Sequence, residues 1–293
     1  MIARMPSRHD EPARRACLVV PASSTRMLEK ARRIEVDEVV IDLEDAVVPD
    51  RKADARAAAL AALAGGTVAS VRVNAPGTPW AHEDLIALGG AAARPLGVVV
   101  PKVEGAGDLA FVDRLLDGVE HAAGHAEPLR VQALVESAAG LSALDEIAAA
   151  SPRLEAIVLG YADLRVSLGR SPSAPLDTWL AVQDAVLCAA RAAGLQAIDG
   201  PHLAIDDEEG LRAAATRAAE LGFDGKWAIH PAQIEPITAA FTPGPEEVAR
   251  ARAVLAALDE AAAGGRGAVS LDGEMLDEPA RLAALRTVAR AGE

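Results

Sequence analysis

The chain is poor in aromatic side chains: three Trp, three Phe and one Tyr in 293 residues. Without large rings, a core has to be filled by small aliphatic groups between many helices, and the 51% of apolar residues, rich in Ala and Leu, can supply one of good size. Basic residues are also scarce, 29 Lys and Arg against 43 Asp and Glu, for a formal net charge of -14. A general binder of nucleic acid or of an anionic membrane surface needs clustered positive charge, so no nucleic-acid and no membrane partner is expected. A phosphorylated small molecule is compatible if a few basic groups gather locally. Cysteine is reduced to Cys17 and Cys188, which lack metal-ligand spacing and read as small hydrophobes of a cytoplasmic protein. Residues 1–15 mix both charges without an apolar run, so they are expected to be a loose tail and neither signal peptide nor membrane anchor. No GxGxxG turn follows the first apparent strand, and no fixed-period repeat is present.

What the chain does have is regular alternation. Short runs apolar on both faces recur over 17–22, 38–43, 67–73, 96–103, 131–136, 154–160, 195–199 and 225–230. Helical patterns fall between them, the clearest from 25 onward and over 51–64, 80–88 and 108–123. Eight such units predict an α/β fold, a (β/α)8 TIM barrel over 16–240, rather than an open doubly wound sheet. The polar residues discriminate between the two. Asp42, Glu44, Asp45, Arg72, Asn74, Lys102, Glu136, Asp163, Asp199 and His230 all lie at or just past the C-terminal ends of strands, the face on which barrel enzymes keep their chemistry. The remainder, 241–293, holds a helix over 245–263, a GGRG break, one short strand in AVSLDGEML and a last helix from 279. It is expected to be a C-terminal helical extension or flap, packed on the barrel or on a neighbouring subunit.

Glu136 and Asp163 are the first candidates for chemistry. Mg2+ takes oxygen ligands and is commonly held by one or two carboxylates that leave sites open for water and substrate, and two acids at consecutive strand ends provide such a pair. Alternatively, either acid caps the helix that follows. Arg72, at the end of an apolar strand, needs an anionic partner: a substrate carboxylate held by its planar fork, or an internal pair with Glu44 or Asp45. The run DLED concentrates acids after the second strand. Glu44 and Asp45 are expected to reach metal-bound water rather than the ion itself, or to pair with Arg51 or Lys52. Lys102 is either a second anion contact or a partner of Glu104. His230 is a ligand, a base or a hydrogen-bonded structural histidine. Arg26 and Lys30 share a helix face that can hold phosphates or simply be a solvated basic face.

With these residues in place, the chain resembles the citrate lyase β-subunit-like branch of the HpcH/HpaI aldolase family, the malyl-CoA and citramalyl-CoA lyases. The matching pieces run in order from VVPASSTRMLEKA through DEVVIDLEDAV, VRVNAPGTPW, GVVVPKVE, ALVESAAGL, LGYADL, AIDGPHLAIDD and LGFDGKWAIHPAQI to AVSLDGEMLDEP. The resemblance implies a (β/α)8 barrel assembling as trimers or hexamers. It also implies Mg2+-dependent breaking or making of a carbon-carbon bond beside a CoA thioester, with an acyl-CoA and a small 2-oxo acid as reactants. It puts the metal ligands on Glu136 and Asp163 and the arginine for the substrate carboxylate on Arg72. The catalytic acid that visits a neighbouring subunit's site falls on Asp277. Read on its own, Asp277 would be a flap residue or a cap for the last helix. Residues 161–163 are Tyr-Ala-Asp where many relatives have Ala-Glu-Asp, a departure that bears on pocket shape. Three other reactions stay open: malyl-CoA thioester hydrolysis, a CoA-independent pyruvate aldolase, and a citryl-acyl-carrier lyase subunit.

Overall fold

A computed structural model describes residues 14–291. The strands are β1 (Ala16–Pro21), β2 (Glu38–Asp42), β3 (Ser70–Arg72), β4 (Gly97–Val100), β5 (Arg130–Val135), β6 (Leu154–Leu159), β7 (Gln196–Asp199) and β8 (Gly225–Ala228). All pair in parallel, each with its sequence neighbour, and β1 pairs with β8 to close the ring. The (β/α)8 barrel is therefore observed, with helices on the outside of every strand boundary as parallel pairing demands. They are α1 (Thr25–Ala31), α2 (Lys52–Ala64), α3 (Ala81–Gly89), α4 (Ala106–Ala123), α5 (Ala138–Ser142), α6 (Leu144–Ala148), α7 (Tyr161–Ser167), α8 (Leu180–Ala192), α9 (Glu208–Leu221) and α10 (Ile234–Phe241).

Two apolar layers follow from the alternation of side chains along each strand. Val39, Ile41, Val71, Val98, Val100, Ala133, Val135, Ile157 and Leu159 meet Ala59, Leu85, Leu109, Leu116, Ile147 and Val186 of the helices. A separate cluster, Cys17, Val40, Val99, Leu134, Ala156, Val158, Ile198 and Trp227, fills the lumen. The lumen is thus packed, as small barrels are. Its floor is polar. Arg14 donates to Glu38, Gln196 and Glu155, while Ser70 and Gln132 also donate to Glu38. Of the expected tail, residues 1–13 lie outside the described residues; Arg14, by contrast, is buried in that floor and Arg15 is clamped by Asp37. A guanidinium at the bottom of a lumen survives because two carboxylates compensate its desolvation.

After α10 come α11 (Pro245–Ala263), β9 (Val269–Leu271), β10 (Glu274–Leu276) and α12 (Glu278–Arg290). The expected single strand is an antiparallel hairpin, because Asp272 and Gly273 both take positive φ and reverse the chain within AVSLDGEML. Leu276 and Ala284 pack on Ala251, Val254 and Leu258 of α11, so the extension has a small apolar cluster of its own. No helix among the described residues is long and apolar enough to cross a membrane.

Candidate active site

The register of the barrel builds the site. Asp42 and Arg72 are the last residues of β2 and β3 and lie directly opposite each other. Arg72 donates from Nε to Asp42 Oδ1 and from Nη2 to Asp42 Oδ2, both at 2.7 Å, and its Nη1 stands 3.0 Å from Glu44 Oε2. The principal internal partner is therefore Asp42; Glu44 is a second contact and Asp45 is not one. The guanidinium carbon also lies 5.7 Å from the centre of the Trp227 ring at the top of the lumen core. Burial alone would lower the Arg72 pKa; hydrogen bonding and charge from Asp42 overcome this and raise it, so it remains a fixed cation. Asp42 also accepts from the backbone N–H groups of Glu44 and Ala46, which shapes the DLED turn.

Lys102, just past β4, is one of two described non-glycine residues with positive φ, at 53°. That costly conformation aims its backbone N–H at Glu136 Oε1, 3.0 Å away. Its ammonium pairs with Glu44 and stands 3.5 Å from both Asp45 and Asp163. Glu104 is not its partner. Four acids, Glu44, Asp45, Glu136 and Asp163, thus gather around one lysine at the C-terminal mouth of the barrel.

Glu136 follows β5 directly and is 5% exposed. Burial, then the charges of Glu44 and Asp163, push its carboxyl up to about 8 against the opposing pull of Lys102 and Arg72. Burial likewise raises Glu44, in part offset by Arg72 and Lys102. The neighbourhood holds more negative charge than Arg72 and Lys102 satisfy, and the buried Glu44 Oε2 has its ion pair with Arg72 Nη1 but no hydrogen bond. Two glycines make room here, one for the Glu136 carboxylate and one for the Val103 carbonyl. A Cβ on Gly160 would stand 2.6 Å from Glu136 Oε2, and one on Gly140 would stand 2.5 Å from Val103 O. Asp163 sits in the first turn of α7, with a side chain 41% exposed toward the mouth's solvent side.

Among the described residues no three His, Cys, Asp or Glu side chains stand close enough together to close a metal shell by themselves. Oxygen donors with surplus negative charge nevertheless fit a hard divalent cation that keeps waters and takes one or two protein carboxylates.

Other sequence expectations resolve variously. Lys52 donates to the backbone carbonyls of Leu43 and Glu44 and Arg51 pairs with Asp54, so among the described residues neither is in a direct ion pair with the DLED carboxylates, although Lys52 feels the charges of Glu44, Asp42 and Asp45. His230 is exposed, and its Nδ1 accepts from Ala232 N, the structural role. Arg26 and Lys30 are exposed on α1, without an ion pair among the described residues. Asp277 is exposed at the N-terminal boundary of α12, where its side chain accepts no capping hydrogen bond. Sequence reasoning missed a second network beside the site. Tyr161 at the start of α7 donates to Asp199, which also accepts from the fully buried Lys226.

Residues 15–231 match the HpcH/HpaI aldolase/citrate lyase family. The chain belongs to that family. Among its curated members, the L-malyl-CoA/beta-methylmalyl-CoA lyase of Cereibacter sphaeroides is 39% identical over 91% of each chain. The (3S)-malyl-CoA thioesterase of the same species is 38% identical over 94% of each. Among solved structures, protein CitE of Mycobacterium tuberculosis in complex with magnesium, acetoacetate and coenzyme A superposes with a TM-score of 0.78 at 36% identity. The match covers 96% of this chain and 99% of that one. This member of the HpcH/HpaI family therefore shares both barrel and extension with its relatives.

Proposed function

We propose that the protein is a Mg2+-dependent carbon-carbon lyase of the oxo-acid-lyase type. It cleaves, or in reverse forms, a 3-hydroxyacyl-CoA such as malyl-CoA or citramalyl-CoA, giving acetyl-CoA and glyoxylate or pyruvate. One observation carries the reading: the acids grouped around Lys102 at the barrel mouth, Glu136 among them, occur in a chain 39% identical to a malyl-CoA lyase over 91% of its length. The magnesium in the CitE complex supports the choice of ion.

In this reading Glu136 and Asp163 would hold the ion, and Glu44 and Asp45 would act from behind them without binding it directly. When bound, Mg2+ supplies Lewis-acid polarisation of substrate oxygens. Arg72, its fork held by Asp42, binds the substrate carboxylate beside the hydroxyl carbon through the edge that faces Glu44. Arg26 and Lys30 take CoA phosphates. The bond between the hydroxyl-bearing carbon and the thioester α-carbon breaks, and the hydroxyl releases its proton to water as it becomes the carbonyl of the 2-oxo acid. The electron pair passes to the α-carbon as the enolate of acetyl-CoA, and the Asp277 carboxyl gives that carbon a proton; in the condensing direction its carboxylate is the base. Asp277 lies on the extension 241–293, and it serves the site of a neighbouring subunit in a cytoplasmic homotrimer or hexamer.

A second reading, hydrolysis of malyl-CoA to malate and free CoA, is favoured by the similarity to the thioesterase. The test is an assay of the purified chain on malyl-CoA, citramalyl-CoA and citryl-CoA with and without EDTA. The expected result is acetyl-CoA with an equal amount of glyoxylate or pyruvate, lost in EDTA and restored by Mg2+. Free CoA without acetyl-CoA would instead establish the thioesterase. Glu136→Ala should abolish turnover, whereas Asp277→Asn should bind the ester and fail to turn it over.

A further inference from the structure

The network beside the site centres on Tyr161, the chain's single tyrosine and the first residue of α7. Its hydroxyl donates to Asp199 Oδ1 at 2.5 Å, at the end of β7, and accepts from Gln183 Nε2 at 2.8 Å, on α8. Asp199 also pairs with Lys226 of β8, whose Nζ donates to Oδ2 at 2.6 Å. Lys226 also donates to Gly200 O and sits 5.9 Å from the centre of the tyrosine ring. The ring meets Trp179 edge-on, with centroids 5.0 Å apart. Space for it is built into the backbone: a Cβ on Gly200 would stand 2.7 Å from the ring and 2.3 Å from Leu159 O.

Among the described residues no side chain caps the start of α7, whose N-cap is Gly160. A buried Lys-Asp pair is costly unless fully bonded, and here its spare carboxylate oxygen is given to one residue, two positions before Asp163. We propose that Tyr161 is a positioning residue: through Asp199, Lys226 and Gln183 it fixes the first turn of α7, and thereby the direction in which Asp163 presents its carboxylate to a divalent cation at the barrel mouth. The inference rests on the reading of Asp163 as a metal ligand.

The test is calorimetric titration of the folded, EDTA-stripped protein with Mg2+ alone. Tyr161→Phe removes only the hydroxyl and should weaken binding about tenfold, the scale of one buried hydrogen bond. At saturating Mg2+ its kcat should return close to the wild-type value, while the Mg2+ concentration for half-maximal turnover stays raised. A purely structural role would lower kcat at every Mg2+ concentration, and that result would overturn the inference. Asp163→Asn in the same titration separates the two claims. If Asp163→Asn binds weakly and Tyr161→Phe binds like wild type, the positioning role is wrong. If Asp163→Asn binds like wild type, the ligand assignment fails, and the inference with it. Should Tyr161→Phe not fold, Gln183→Met replaces it, since Gln183 Oε1 is buried without a partner and its removal costs little. That variant should show a smaller loss of affinity, about two- to threefold, on the scale of a weak hydrogen bond; wild-type affinity would count against the role.

Discussion

Glu136 is the residue on which pH acts most directly. Its carboxyl titrates near 8 in the folded protein because burial and the acids around it oppose ionisation; in an unfolded chain it would titrate near ~4.3. A carboxyl raised by folding stabilises the protein fully below the unfolded value, and that contribution is lost as pH rises through the folded one. Metal-free protein should therefore lose thermal stability between pH 5 and about 8. Glu136→Gln should flatten that decline. Because an ionised carboxylate is needed to bind a cation, Mg2+ should raise the melting temperature more at pH 8 than at pH 6. Melting curves of both proteins in EDTA and in Mg2+ check this; superimposable pH profiles would show that Glu136 is not the displaced group. Burial at a strand end was legible in VQALVE, but the displacement was not, since it depends on Glu44 and Asp163 from other units.

At the scale of elements, the approach of β6 to β5 decides how Glu136 is held. Gly160 follows β6 directly, with Glu136 Cβ only 2.7 Å from where its own Cβ would be. Gly160→Ala should thus displace the carboxylate and raise the Mg2+ requirement for turnover tenfold or more, with the barrel still folded by circular dichroism. An unchanged requirement would mean that the space left at Gly160 is not what places Glu136. The eight strands and their order were readable because parallel strands covered by helices are apolar on both faces. Lateral register was not readable. Nothing in DLED or VRVNA says that Asp42 lies opposite Arg72, so the internal partner weighed against a substrate carboxylate was Glu44 or Asp45; Glu44 is a contact, and Asp42 was not foreseen. The hairpin of β9 and β10 was missed for a different reason: its Asp272-Gly273 turn was visible in sequence, but each arm is only three residues long. Lys102 was legible as a cation at a strand end; its left-handed backbone, which turns an N–H toward Glu136, was not.

For the whole molecule, the barrel gathers Arg72, Lys102, Glu44, Asp45, Glu136 and Asp163 at one mouth, although they lie in five different strand-end segments. Asp277 is exposed next to Leu276, a member of the separate apolar cluster on α11 and α12, and in the proposed mechanism it serves a second subunit. A net charge of -14 makes the placement of basic groups informative, because the cations at the mouth stand out from an acidic molecule. The most direct measurement is a crystal structure of the protein soaked with Mn2+, in place of Mg2+, and glyoxylate. The account predicts one anomalous peak bonded to carboxylate oxygens of both Glu136 and Asp163, with the glyoxylate carboxylate against Arg72. A peak elsewhere, or full occupancy of the same peak in Glu136→Ala, would contradict it.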